Sequence, residues 1–255
     1  MTNNIKRRLA SGRFIKAAWA HFGSPDVCEA MVRAGWDTIL IDGEHGPGGI
    51  EDWVAMVRAV EAAGGEGVLR VPDTSTSTLQ KVLDRGFRTL VVPHVDDFAT
   101  AEAVTKACLF PPAGHRSFAS PLVRASHHGA RTTYTEEAAD ELCLLLQCEH
   151  ESAVADLTRI AALPACDAIF IGPNDLAGSI GYLGRDREEE PMALRRRAEA
   201  AVRETGTPLA TILGPEGFDG LQQMGYGFVV GPSDVALLTA AARAALADDR
   251  SADGY

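Results

Sequence analysis

Short apolar runs rich in Val, Ile and Leu alternate with longer segments of helical period along the whole chain, and this alternation restricts the fold more than any other property. Strands are expected at residues 15–18, 38–41, 67–71, 89–92, 142–148, 168–171, 208–213 and 226–230, with helical patterns at 50–63, 78–85, 99–108, 192–204 and 233–247. Strand, helix and strand in succession make a parallel βαβ crossover. About eight such units in 255 residues fit an α/β fold of the (β/α)8 TIM-barrel type better than an open doubly wound sheet. A dinucleotide-binding sheet would carry G-x-G-x-x-G after its first strand, whereas the clusters Gly46-x-Gly48-Gly49 and Gly64-Gly65-x-Gly67 lack that spacing and read as turns. A hydrophobic content of 46% over this length supplies one large core, so residues 1–255 are expected to form a single barrel domain with a frayed polar tail at 248–255. The longest irregular stretch, 111–135, carries Arg116, Phe118, Arg124 and Tyr134 and is expected to be an ordered lid or a subunit contact.

Charge and cysteine usage narrow the setting. A net charge of −11 gives a field that repels phosphate backbones, which argues against nucleic acid as a partner. Five cysteines with no C-x-x-C pair make a poor disulfide framework and point to a reducing cytoplasm. Lys6, Arg7 and Arg8 are followed by no signal-like apolar core, and no run approaches the roughly 18 apolar residues of a membrane span, so neither export nor a membrane is expected.

In such a barrel the chemistry sits at the carboxyl ends of the strands. Several of those ends are polar beyond what packing requires: Asp42-Gly43-Glu44-His45, Arg70, Gln147-Cys148-Glu149 and Gly172-Pro173-Asn174-Asp175. Glu149 and Asp175, from neighbouring strand ends, can converge on a hard, partly hydrated cation such as Mg²⁺ or Mn²⁺. They can equally open or cap a helix, where carboxylates are favoured. His45 is a candidate general base or a solvated loop histidine, its case strengthened by Asp42 and Glu44 beside it. Arg70 either stabilises a developing enolate or forms an ion pair with Asp42 or Glu149. The lysines are Lys6, Lys16, Lys81 and Lys106, so the last four strand ends carry no imine-forming amine, and Lys16 in the first strand is the one awkward alternative.

Those segments resemble the HpcH/HpaI aldolase family, the class II, metal-dependent pyruvate aldolases. The similarity spans nearly the whole chain: Asp37-Thr38-Ile39-Leu40-Ile41-Asp42-Gly43-Glu44-His45-Gly46-Pro47, Leu69-Arg70-Val71-Pro72, Val82-Leu83-Asp84-Arg85-Gly86, Val91-Val92-Pro93, Phe110-Pro111-Pro112-Ala113-Gly114-His115-Arg116, Leu146-Gln147-Cys148-Glu149 and Ile169-Phe170-Ile171-Gly172-Pro173-Asn174-Asp175-Leu176. The resemblance implies a carbon–carbon lyase that cleaves 4-hydroxy-2-oxo acids, of the oxoheptanedioate or keto-deoxy sugar acid type, to pyruvate and an aldehyde through a metal-stabilised enolate. It implies Mg²⁺, Mn²⁺ or Co²⁺ on Glu149 and Asp175, His45 as proton acceptor with Asp42 beside it, Asp84 raising the basicity of His45 across a subunit boundary, and Arg70 at the transition state. It places Gln147, Gly172, Pro173, Asn174 and Asp175 against the oxo acid, and implies a cytoplasmic homohexamer, a dimer of trimers, with the helix at 233–247 exchanged between subunits. Gly48-Gly49, Pro121 and His127-His128 depart from the family pattern, leaving the aldehyde open and hydroxypyruvate as a second donor to be tested. The rival readings are an acyl-CoA lyase of the malyl-CoA or citryl type and a non-catalytic oligomeric barrel.

Overall fold

Eight parallel strands hydrogen-bond in chain order and β1 closes on β8, which makes the expected barrel. The computed structural model describes residues 3–247, and the expected tail at 248–255 lies outside the described residues. The strands are β1 (Ile15–Ala20), β2 (Thr38–Asp42), β3 (Glu66–Arg70), β4 (Thr89–Val92), β5 (Cys143–Cys148), β6 (Ala168–Ile171), β7 (Leu209–Ile212) and β8 (Tyr226–Ser233). Bounds for β4 and β6 match expectation, and the ends that differ in the other strands move by one to three residues. The largest shift is at β8, which runs on to Ser233 because Ser233 pairs with Trp19 of β1.

Local chemistry sets the helix ends. The helix Ile50–Ala63 stops where Gly64 takes a left-handed φ of 95°, a conformation that suits glycine. Thr76–Asp84 starts two residues earlier than its apolar period implies, because the Ser75 hydroxyl accepts from the Thr78 N–H; Asp97 likewise caps Phe98–Cys108. Glu189–Arg203 and Asp234–Ala247 complete the longer expected set, and shorter helices occur at Pro25–Arg33, Glu151–Ala161 and Pro173–Ser179, among others.

The two-residue pleat divides the core. Ala17, Trp19, Leu40, Val68, Val91, Leu145, Phe170 and Phe228 fill the barrel, and Ile5 and Leu9 of the helix Asn4–Ala10 plug its lower end. The alternate residues, such as Ile39, Ile41, Leu69, Val92, Leu146 and Ile171, pack outward against the helices. Lys16 belongs to neither core: it is exposed on β1, with its ammonium 5.1 Å above the Phe218 ring on the outside of the barrel. In the irregular stretch, Arg116 is 3% exposed, bonds Asp84 at 2.7 Å and the Tyr134 hydroxyl at 3.0 Å, and stacks on Phe110, so Arg116 ties this segment to the helix Thr76–Asp84.

Candidate active site

The polar residues at the barrel mouth continue the interior rows of the strands. One pleat above Leu40 stands Asp42, above Val68 stands Arg70, and above Leu145 stand Gln147 and, a further step along, Glu149, so an apolar barrel interior is roofed by ionisable groups.

Asp42 organises one side of this roof. Its Oδ1 accepts from Arg70 Nε at 2.9 Å and from the Glu44 and His45 backbone N–H groups at 3.1 and 3.2 Å. Its Oδ2 accepts from Arg70 Nη2 at 2.6 Å and lies 2.8 Å from His21 Nε2. Burial alone would raise the Asp42 pKa, but the bonds from His21 and Arg70 and the guanidinium charge outweigh it and hold the carboxyl well below the usual carboxylate range. Asp42 is therefore a fixed anion that anchors its neighbours. The ion-pair alternative for Arg70 is realised with Asp42 and with Glu44, whose Oε2 is 3.0 Å from Nη1, while the guanidinium lies 4.5 Å from the Trp19 ring centroid. Arg70 still borders the cavity, so pairing fixes its position without removing it from the site.

The loop after β2 carries His45, whose side chain is 67% exposed with Nε2 4.0 Å from Glu44 Oε2. Gly46 makes the turn possible: a Cβ there would sit 2.2 Å from the Asp42 carbonyl oxygen.

Glu149 organises the other side. It is 5% exposed, and its Oε1 accepts from the His94 N–H at 2.6 Å, with His94 Nδ1 3.1 Å away. Its Oε2 accepts from Gln147 Nε2. Burial pushes the Glu149 pKa up and prevails over the bonds from His94 and Gln147 that act against it. Gln147 is 2% exposed and its Oε1 has no hydrogen-bond partner. Beyond His94, Glu44 Oε1 lies 3.2 Å from Nε2, so donor atoms of Glu44, His94 and Glu149 all fall within 4.8 Å of one another. Asp175, exposed in the first turn of Pro173–Ser179, is not one of that group but borders two adjoining cavities. One, of about 400 Å³, is lined by His45, Arg70, Gln147, Gly172 and Asn174; the other, of about 310 Å³, is lined by His94 and Glu149.

The structure thus brings together Asp42, His45, Arg70, Gln147, Glu149, Gly172, Pro173, Asn174 and Asp175. It keeps Asp84 apart within one chain: Asp84 is engaged by Arg116 and borders neither cavity. Sequence reading missed His21, Trp19 and His94. His94 carries a signal, since it stands just past β4, where a polar strand-end residue is expected, but Pro93 separates it from the apolar run.

The HpcH/HpaI aldolase/citrate lyase family profile matches residues 17–240. The hydroxypyruvate/pyruvate aldolase of Sagittula stellata is 38% identical over 206 residues, covering 81% of each chain. The 4-hydroxy-2-oxovalerate aldolase of Novosphingobium aromaticivorans is 38% identical over 207 residues, covering 81% of this chain and 78% of its own. A crystal structure of a HpcH/HpaI aldolase/citrate lyase family protein from Burkholderia cenocepacia superposes with a TM-score of 0.91 at 33% identity, covering 98% of this chain and all of that one.

Proposed function

The chain belongs to the HpcH/HpaI aldolase/citrate lyase family, and on that premise we propose that it is a divalent-metal-dependent aldolase that reversibly cleaves 4-hydroxy-2-oxo acids to an aldehyde and pyruvate or hydroxypyruvate. The observation that carries the reading is the Arg70 guanidinium, clamped by Asp42, Glu44 and Trp19 at the wall of a cavity that also holds Gln147 and Asp175.

Breaking the C3–C4 bond leaves an electron pair on the oxo-acid fragment, and a positioned cation beside the enolate oxygen stabilises it. One such donor typically contributes about 2.7–4 kcal/mol at the transition state. Arg70 fills this role without reorganising, because its fork is already bound. His45, at the rim, takes the proton from the C4 hydroxyl during cleavage. Gln147, Gly172, Pro173 and Asn174 border the space for the oxo acid, and the unpartnered Gln147 Oε1 is available to its polar groups.

Glu149 and Asp175 would hold Mg²⁺, Mn²⁺ or Co²⁺, which supplies Lewis-acid polarisation of the 2-oxo group. The residues fit such an ion: Glu149 is a buried carboxylate, and the donors gathered beside it are the Glu44 carboxylate and the His94 imidazole. An imine route lacks its amine at the mouth, since Lys16 points outside the barrel. The relatives' names favour aldol substrates over acyl-CoA thioesters, and intact His45, Arg70, Glu149 and Asp175 argue against a non-catalytic barrel.

Val235, Leu237 and Leu238 leave an apolar face on the helix Asp234–Ala247, which supports a homohexamer in which that helix packs on a neighbour and Asp84 serves a neighbouring His45. Residues 1–255 as one domain, and a cytoplasmic setting, complete the proposal. Five unpaired cysteines suit a reducing compartment, and among the described residues no helix is long and apolar enough to cross a membrane. The test is release of pyruvate or hydroxypyruvate from a panel of 4-hydroxy-2-oxo acids, with chelator and with each metal restored. Turnover that survives chelation and is trapped by borohydride would replace this mechanism with an imine.

A further inference from the structure

We infer that His94 is a protein ligand to the cation at Glu149, so that the site offers an imidazole nitrogen beside its carboxylates and favours Mn²⁺, Co²⁺ or Zn²⁺ over Mg²⁺. The inference rests on the metal-dependent reading above and deepens it.

The backbone aims this side chain. His94 has a φ of 54°, the left-handed region that non-glycine residues seldom occupy and keep only where the surroundings hold them. Two bonds to the top of β5 do so: the His94 N–H donates to Glu149 Oε1 at 2.6 Å and the Val95 N–H donates to the Gln147 carbonyl at 3.2 Å. The imidazole is thereby laid between Glu149 and Glu44, 61% exposed towards the cavity it lines.

The spacing suits a shared ion. Ligands on adjacent corners of an octahedron with bonds near 2.1 Å lie roughly 3 Å apart. His94 Nδ1 and Glu149 Oε1 are 3.1 Å apart, and Glu44 completes a trio within 4.8 Å. Charge points the same way: the carboxylates of Asp42 and Glu44 share one guanidinium, Arg70, with two of its nitrogens already committed to Asp42, while Glu149 accepts from the neutral His94 N–H and Gln147 amide. Gln147, 2% exposed, holds Glu149 Oε2 with its amide nitrogen, which fixes the carboxylate whose other oxygen faces His94. Imidazole suits the later first-row divalent ions, whereas Mg²⁺ prefers oxygen, and this sets the direction of the selectivity.

The experiment uses chelator-treated full-length enzyme. Pulsed EPR with bound Mn²⁺ should show nitrogen modulation from a directly coordinated imidazole in the wild type, a readout independent of turnover and of any variant's folding. In His94→Asn, which tolerates the left-handed backbone, that modulation should vanish; calorimetry should show Co²⁺ affinity reduced at least about tenfold and Mg²⁺ affinity changed less than about threefold. Mn²⁺ bound without nitrogen modulation in the wild type overturns the inference, as does an equal loss of Co²⁺ and Mg²⁺ in the variant, which would leave His94 only a support for Glu149. Both outcomes leave the metal-dependent reading standing. That reading fails separately if Glu149→Gln binds Mn²⁺ as tightly as wild type or if turnover survives chelation.

Discussion

At the amino end of the barrel, the Asn3 amide donates to Thr89 Oγ1 and to the Glu141 carbonyl, each at 2.9 Å, and Lys6 Nζ reaches the Leu142 carbonyl at 2.6 Å and Asp167 at 3.0 Å. At the carboxyl end, Asp42, Arg70, Gln147 and Glu149 are comparably buried, yet His21 Nδ1 and Gln147 Oε1 have no hydrogen-bond partner. The lower cluster closes upon itself and ties the plug helix to the wall. The upper cluster fixes its charges but keeps polar atoms uncommitted beside a cavity. Burial of polar groups therefore serves cohesion at one end and reactivity at the other, a division inherent in this barrel architecture.

Substitutions at the two ends should separate accordingly. Glu149→Gln should lower kcat/KM the most, by about a thousandfold or more, in a steady-state assay with saturating metal. Its stability should equal or exceed that of wild type at neutral pH. A carboxyl whose folded pKa is raised leaves the native state holding more protons than the unfolded one, so its contribution falls as pH rises from the ordinary Glu value through the raised folded value. Denaturant unfolding of the metal-free proteins from acid to neutral pH should show wild type losing ground to the variant. A strongly destabilised Glu149→Gln would break the division between the ends.

Arg70→Lys should reduce kcat by about a hundred- to a thousandfold, because an ammonium cannot reproduce the two-pronged contact with Asp42. Asn3→Ala should leave kcat within about twofold and cost about 1–3 kcal/mol by stranding its partners; the melting temperature should fall by about 2–4 °C per kcal/mol. The smallest effect is in acid. The depressed pKa of Asp42 gives a stabilisation fully present above the ordinary Asp value and lost as pH falls towards the folded value. The stability gap between wild type and Asp42→Asn should stay level from neutrality to about pH 5 and narrow below pH 4 in urea melts.

What could be read in advance follows the same physics. Strand positions and the polar residues at or just past the ends of β2, β3, β5 and β6 are legible because Val, Ile and Leu runs end abruptly there. The expected β1 stops two residues short, since Ala has weak strand propensity and nothing local shows that Trp19 and Ala20 pair with Leu40 and Ile41. His21, one residue beyond the true end, went unread as a result. The hold of Arg116 on Asp84 joins residues 32 apart, and neither segment carries a local sign of it.

The plug helix also bears on the order in which the molecule can be completed. Asn3 waits for Glu141, 138 residues downstream, and Lys6 for Asp167. At about 5–20 residues per second, a nascent chain carries Ile5 and Leu9 without their barrel for roughly ten seconds or more. The plug helix is thus made long before the strands it docks beneath, and its greasy face is what a cellular chaperone would meet in that interval.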